Sequence, residues 1–110
     1  MNEDLEALHM MLNDYVRVLA RAQEQATTID AIRAIGHEID EVGNRATMVG
    51  QLLFKAQTAR LTAAVEVVKA GTVDLDKAIA QIQQLNDFLK AISKFLGLVD
   101  KAIDLAKLIF

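Results

Sequence analysis

The sequence predicts an all-α fold: an antiparallel three-helix bundle in which a long hairpin of helices two and three carries a shorter first helix alongside. Three observations lead there. Apolar residues recur at alternating steps of three and four along nearly the whole chain, the period of one helix face. There is no Pro and there are only five Gly, too few turn residues for the many tight turns of a β-sandwich. A length of 110 residues suits one domain around one core.

The first helix is expected over about residues 2–27, on the stripe Leu5, Leu8, Leu12, Tyr15, Leu19, Ala22 and Ala26. The frame then slips, because Ala26, Ile29 and Ile32 are spaced three and three. A turn at Thr27-Thr28-Ile29-Asp30 explains the slip, since both threonines can cap a following helix. A stammer in one continuous helix explains it too.

The second helix is expected over about 29–70, on Ile32, Ile35, Ile39, Val42, Ala46, Val49, Leu53 and Ala56, continuing through Arg60, Ala63, Val67 and Ala70. Gly71 then reads as a left-handed C-cap. Thr72 or Asp74 would cap the third helix, with Asp76 in its positive first turn. That helix, about 74–110, keeps an unbroken stripe from Leu75 through Ile82, Leu89, Leu96 and Ile103 to Phe110. The three lengths, roughly 39, 63 and 55 Å at the usual rise, let the first helix cover only part of the hairpin.

The apolar surplus follows from that inequality. Hydrophobic residues make up 53% of the chain. In the third helix a second ridge, Phe88, Ala91, Phe95, Leu98, Ala102, Leu105 and Ile109, runs beside the first. A helix with two adjoining ridges touches two neighbours. Along one flank of the second helix Gly36, Gly43 and Gly50 recur every seven residues, a pattern that suits a shallow groove for close approach by the first helix. Beyond Gly50 the same flank becomes Phe54, Leu61, Ala64 and Val68, out of the first helix's reach. Phe54, Leu61 and Val68, with Phe88 and Phe95 facing them, are therefore the expected interface with a protein partner or a second copy of the chain.

Chemistry is sparse. No Cys is present, which excludes disulfides, thiol catalysis and Cys-based zinc sites. Glu6 and His9 have the Glu-x-x-His spacing of helical di-metal sites, but Glu6 lies off the core stripe and His37-Glu38 supplies no second copy. His37 with Glu41 reads as an ordinary i, i+4 surface pair. Ser93, the only serine, sits between Lys90 and Lys94 with no His near it in sequence. No enzyme, metal or cofactor is expected. Met10, Met11 and Met48 lie off or beside the stripes, where adaptable side chains suit a repacking interface or a gap in the core.

Residues 1–50 carry nine acids and four bases, and residues 51–110 six acids and eight bases. No basic cluster with interleaved aromatics appears, so nucleic acid is not an expected partner. The start Met1-Asn2-Glu3-Asp4 is acidic, unlike a signal peptide. No stretch free of charged residues is longer than that from Ala46 to Phe54, far short of a bilayer span. The expected location is cytoplasmic, or outside by export without a cleavable signal. The expected function is a non-enzymatic interaction or oligomerisation module, such as an adaptor, chaperone or assembly component. A membrane surface is the alternative partner, because Phe88–Phe110 has a wide apolar arc opposite four Lys and two Asp, the pattern of a surface-lying helix.

Overall fold

The computed structural model describes residues 1–110 and is all-helical, with four helices rather than three. They are α1 (Glu3–Glu24), α2 (Ile29–Gly50), α3 (Ala59–Ala80) and α4 (Leu85–Lys107). Two differences from the expected boundaries explain the change. The long second helix is broken over residues 51–58, and the expected turn at Gly71 does not exist.

Gly71-Thr72-Val73-Asp74 lies inside α3. A left-handed cap needs a positive φ, and no residue of the chain has one. Gly71 instead serves packing: a Cβ there would sit 3.1 Å from Leu98 Cδ1 on α4. Thr72 donates its hydroxyl to Lys69 O at 2.7 Å, a bond within the helix rather than a cap on a new one. The hairpin turn is ten residues later, at 81–84, where Gln84 caps α4 without a side-chain hydrogen bond. At the earlier boundary, the turn reading is the right one. Thr28 is extended and accepts from Ala31 N at 3.1 Å.

The result is two hairpins of the same build. Helices of 22 and 22 residues, then 22 and 23, are each joined by four residues, 25–28 and 81–84. Asn2 and Thr58 cap the first helix of each hairpin, accepting from Leu5 N and Leu61 N. The offset of 56 carries further, pairing buried Leu12 with Val68 and Leu19 with Leu75.

The hairpins stack with α1 beside α3 and α2 beside α4. Both cross-hairpin pairs are parallel. Thr62 donates to Asp4 and Tyr15 donates to Asp76, a nearly constant offset up α1 and α3. Arg45 on α2 reaches Asp100 on α4 in the same sense. The diagonal partners are then α1 with α4 and α2 with α3. The α2–α3 link must cross the end of the bundle, and its eight residues, 51–58, do so.

One cluster of 23 buried residues fills the space between the four helices. Tyr15 and Phe95 meet across its centre, ring centroids 5.3 Å apart and tilted by 65°. The double ridge of α4 is used within the chain: Phe88, Ile92, Phe95, Leu96, Val99, Ala102, Ile103 and Ala106 are all buried. Its two neighbours are α3 and α2, where the sequence had suggested the first helix as the cover.

Asn2 holds the crossing link in place. It is 1% exposed, the only buried polar residue. Its backbone N–H donates to Leu53 O at 2.9 Å, and its side-chain Nδ2 donates to Lys55 O at 3.1 Å and Ala56 O at 3.2 Å. Its Oδ1 meanwhile accepts from Leu5 N at 3.0 Å. Removing the amide strips a cap and leaves two link carbonyls short of a donor. Asn2→Ala is expected to cost about 2–3 kcal/mol in urea unfolding. Asn2→Asp keeps the cap acceptor but faces the two carbonyls with an anion, so it is expected to restore less than half of that loss. Full recovery with Asp would mean that capping alone matters.

Candidate functional site

Two clefts flank the cross-hairpin seams, and they differ in chemistry. The seam between α2 and α4 is polar. Its cleft, about 460 Å³, is lined by His37, Glu38, Glu41, Arg45, Ser93, Leu96, Gly97 and Asp100. Arg45 closes much of it. The guanidinium bonds Asp100 at 2.7 and 3.1 Å and Glu41 at 2.8 Å, with 18% of its side chain exposed. Its bond to Asp100 raises the Arg45 pKa further, despite partial burial. The bond from Arg45 lowers the Glu41 pKa. Burial raises that of Glu38.

This cleft brings Ser93 beside His37, which sequence distance alone did not suggest. The two make no hydrogen bond, and His37 Nε2 faces Glu41 at 3.7 Å. A serine nucleophile needs its base within hydrogen-bond reach. No group of three or more His, Asp or Glu side chains is placed to hold a metal ion. His9 is occupied elsewhere, 3.4 Å from Asn13 Nδ2 in the α1–α2 interface.

The seam between α1 and α3 is an open trough of about 510 Å³. Ala7, Met10, Met11, Asp14, Tyr15 and Val18 come from α1, and Thr72 and Asp76 from α3. Met10 is 67% exposed and Val18 38% exposed. At the floor the Tyr15 hydroxyl donates to Asp76 Oδ1 at 2.7 Å. Burial, and then the Asp76 carboxylate, hold the Tyr15 phenol well above its ordinary pKa. Sequence reading missed this site. It had placed Asp76 in a helix first turn, whereas the residue lies well inside α3 and faces α1.

The expected interface residues are not together on an open flank. Leu61, Val68, Phe88 and Phe95 are buried in the chain's own core, at 0–1% exposure. The break at 51–58 turns α3 back along α1, so the flank meets the other hairpin instead of solvent. Phe54 alone is open, 76% exposed in the crossing link, with Lys55 Nζ 5.4 Å from its ring centroid. The three glycines differ among themselves. A Cβ would lie 3.0 Å from Gln23 Nε2 at Gly36 and 3.2 Å from His9 Nε2 at Gly50, both across the α1–α2 interface. At Gly43 it would meet nothing within 4 Å.

No helix is long and apolar enough to cross a membrane. Comparison with family models, with curated proteins and with solved structures finds no match.

Two measurements check this geometry. Gly43→Ala is expected to stabilise the fold by about 1 kcal/mol through helix propensity alone. Gly36→Ala and Gly50→Ala should gain less, because a neighbouring side chain must move. Equal gains at all three in thermal unfolding would remove the distinction. For Tyr15 the sign follows from its raised pKa. The stability contributed is complete below the unfolded value, near 10, and is lost as pH rises beyond it. Wild type is expected to lose stability more steeply than Tyr15→Phe above about pH 10, read by urea unfolding.

Proposed function

We propose that the chain is a non-enzymatic helical interaction module whose α1–α3 trough receives an apolar segment of another protein. One observation carries the reading. Met10 and Met11 lie side by side in one turn of α1, Val18 follows two turns on, and the three share one open concavity. Ligand-receiving grooves are mostly apolar concavities with a few fixed polar groups, and helix-in-groove docking uses anchors at such helical spacing. Methionine suits the purpose because its unbranched, polarizable chain adapts to the shape it meets.

The expected interface has thus moved. Of the residues first considered, only Phe54 is free to touch a partner without unfolding the bundle. The apolar arc of α4, which suggested a membrane surface, is packed against α3 and α2.

The test uses a neutral peptide helix of leucine and glutamine with its leucines on one face. Methyl-resolved NMR of the methionines should show saturable shifts at Met10 and Met11 and little change at Met48, which lies on α2 and packs against the core. Met10→Glu, at an exposed position, should weaken binding about tenfold or more, since burying a charge against apolar side chains is costly. Shifts confined to Met1, or no shifts at millimolar peptide, would overturn the reading.

A further inference from the structure

The trough is apolar but not neutral. Asp76, an exposed residue, stands in its lining, where its carboxylate accepts from the Tyr15 hydroxyl at 2.7 Å. No Lys, Arg or His nitrogen lies within 4.0 Å of that carboxylate; the five ion pairs of the chain all involve other residues. The second carboxylate of the trough, Asp14, has only a loose pairing with Arg17 at 3.6 Å, both side chains about 70% exposed. The trough therefore offers apolar side chains and two carboxylates, with no cation inside it. In the opposite seam, by contrast, a cation of the chain itself, Arg45, already bonds both Glu41 and Asp100.

We propose that the partner of the α1–α3 trough is a cationic amphipathic helix, whose apolar face lies on Met10, Met11 and Val18 while a Lys or Arg reaches Asp76. The proposal rests on the interaction reading above and adds the sign of the partner's charge. Asp76 is exposed and carries no cation, so a partner's Lys or Arg can reach it without displacing an existing ion pair. Tyr15 fixes the carboxylate, so little further ordering is needed when a cation arrives. An anionic segment would set like charges together at the same point, which gives the trough discrimination as well as affinity.

The chain supplies its own reporter. Tyr15 is the only tyrosine, and there is no tryptophan, so tyrosine emission arises at the floor of the trough. Two peptides free of Tyr and Trp serve as probes, one of leucine and lysine and one of leucine and glutamate, with identical leucine positions. The leucine–lysine peptide should change Tyr15 emission saturably and bind at least tenfold tighter than the other. Asp76→Asn keeps an acceptor for the Tyr15 hydroxyl and should bring that preference down to about threefold. Asp104→Asn, which removes the same charge from an exposed position on α4, should leave it at tenfold.

Equal binding of both peptides would overturn the charge assignment and leave the interaction reading standing, as would equal effects of Asp76→Asn and Asp104→Asn. If neither peptide binds and the leucine–glutamine helix also fails, both readings fall. Concentration-dependent self-association that Met10→Glu abolishes and the leucine–lysine peptide cannot compete would give the trough to a second copy, and would overturn the proposal.

Discussion

The geometry of this bundle depends on how its α2–α3 link crosses the end of the molecule, and Asn2 is what fixes that crossing. If sequential helices were simply neighbours, α2 and α3 would pair and a short turn would join them. Here they are diagonal, so eight residues must run beneath the bundle. Such a link exposes carbonyls that no helix satisfies. Asn2 supplies backbone and side-chain donors to three of them while capping α1 with the same side chain. One buried amide thus ties the start of α1 to the approach to α3. The cost of burying it is offset because every polar atom of its side chain is bonded.

Parallel register follows, and with it the contrast between the two seams. With α3 starting beside α1, Tyr15 comes level with Asp76, and α2 brings Arg45 level with Asp100. The α2–α4 seam receives a long cationic side chain that fills space and pairs two carboxylates. The α1–α3 seam has no such side chain in its lining: Ala7 and Thr72 are short, and its two carboxylates, Asp14 and Asp76, meet no Lys or Arg there.

Much of the helical content was legible in the sequence, because periodicity reports which residues face inward irrespective of where the chain reverses. Thr28 also marked a true start, since it is a capping residue at a frame slip. The break at 51–58 was not legible from periodicity. Val49, Leu53, Ala56 and Arg60 stay in heptad register through it, so the pattern runs on where the backbone does not. Only Lys55, Gln57 and Thr58, with Thr58 as a cap three residues before Leu61, mark the place. Residues 81–84 carry even less signal: Gln-Ile-Gln-Gln holds no Gly, Pro, Asn or Asp, and Ile82 remains buried in frame. Gly71 misled for the opposite reason. It is a residue that permits a turn, placed where α4 needs room.

Those boundary errors decide which apolar residues are surplus. With one helix from 29 to 70, Leu61 and Val68 extend past any cover and look like an interface. With the chain reversed at 51–58, four helices of nearly equal length leave no such overhang, and Phe95 and Leu98 of the second ridge of α4 close on α3 at Gly71. Among the large apolar side chains left exposed outside the core, Met10 and Val18 line the trough. Folding gains little from an apolar side chain that stays mostly in water, so polar residues would serve the fold as well at those positions. Scattered exposed hydrophobics are ordinary, but Met10 and Val18 line one concavity that also holds the Asp76 carboxylate. Tyr15 and Asp76 are 61 residues apart, and only the parallel register brings them together. A local reading therefore assigns one to the core stripe and the other to a helix first turn, and the site exists only once the link has crossed.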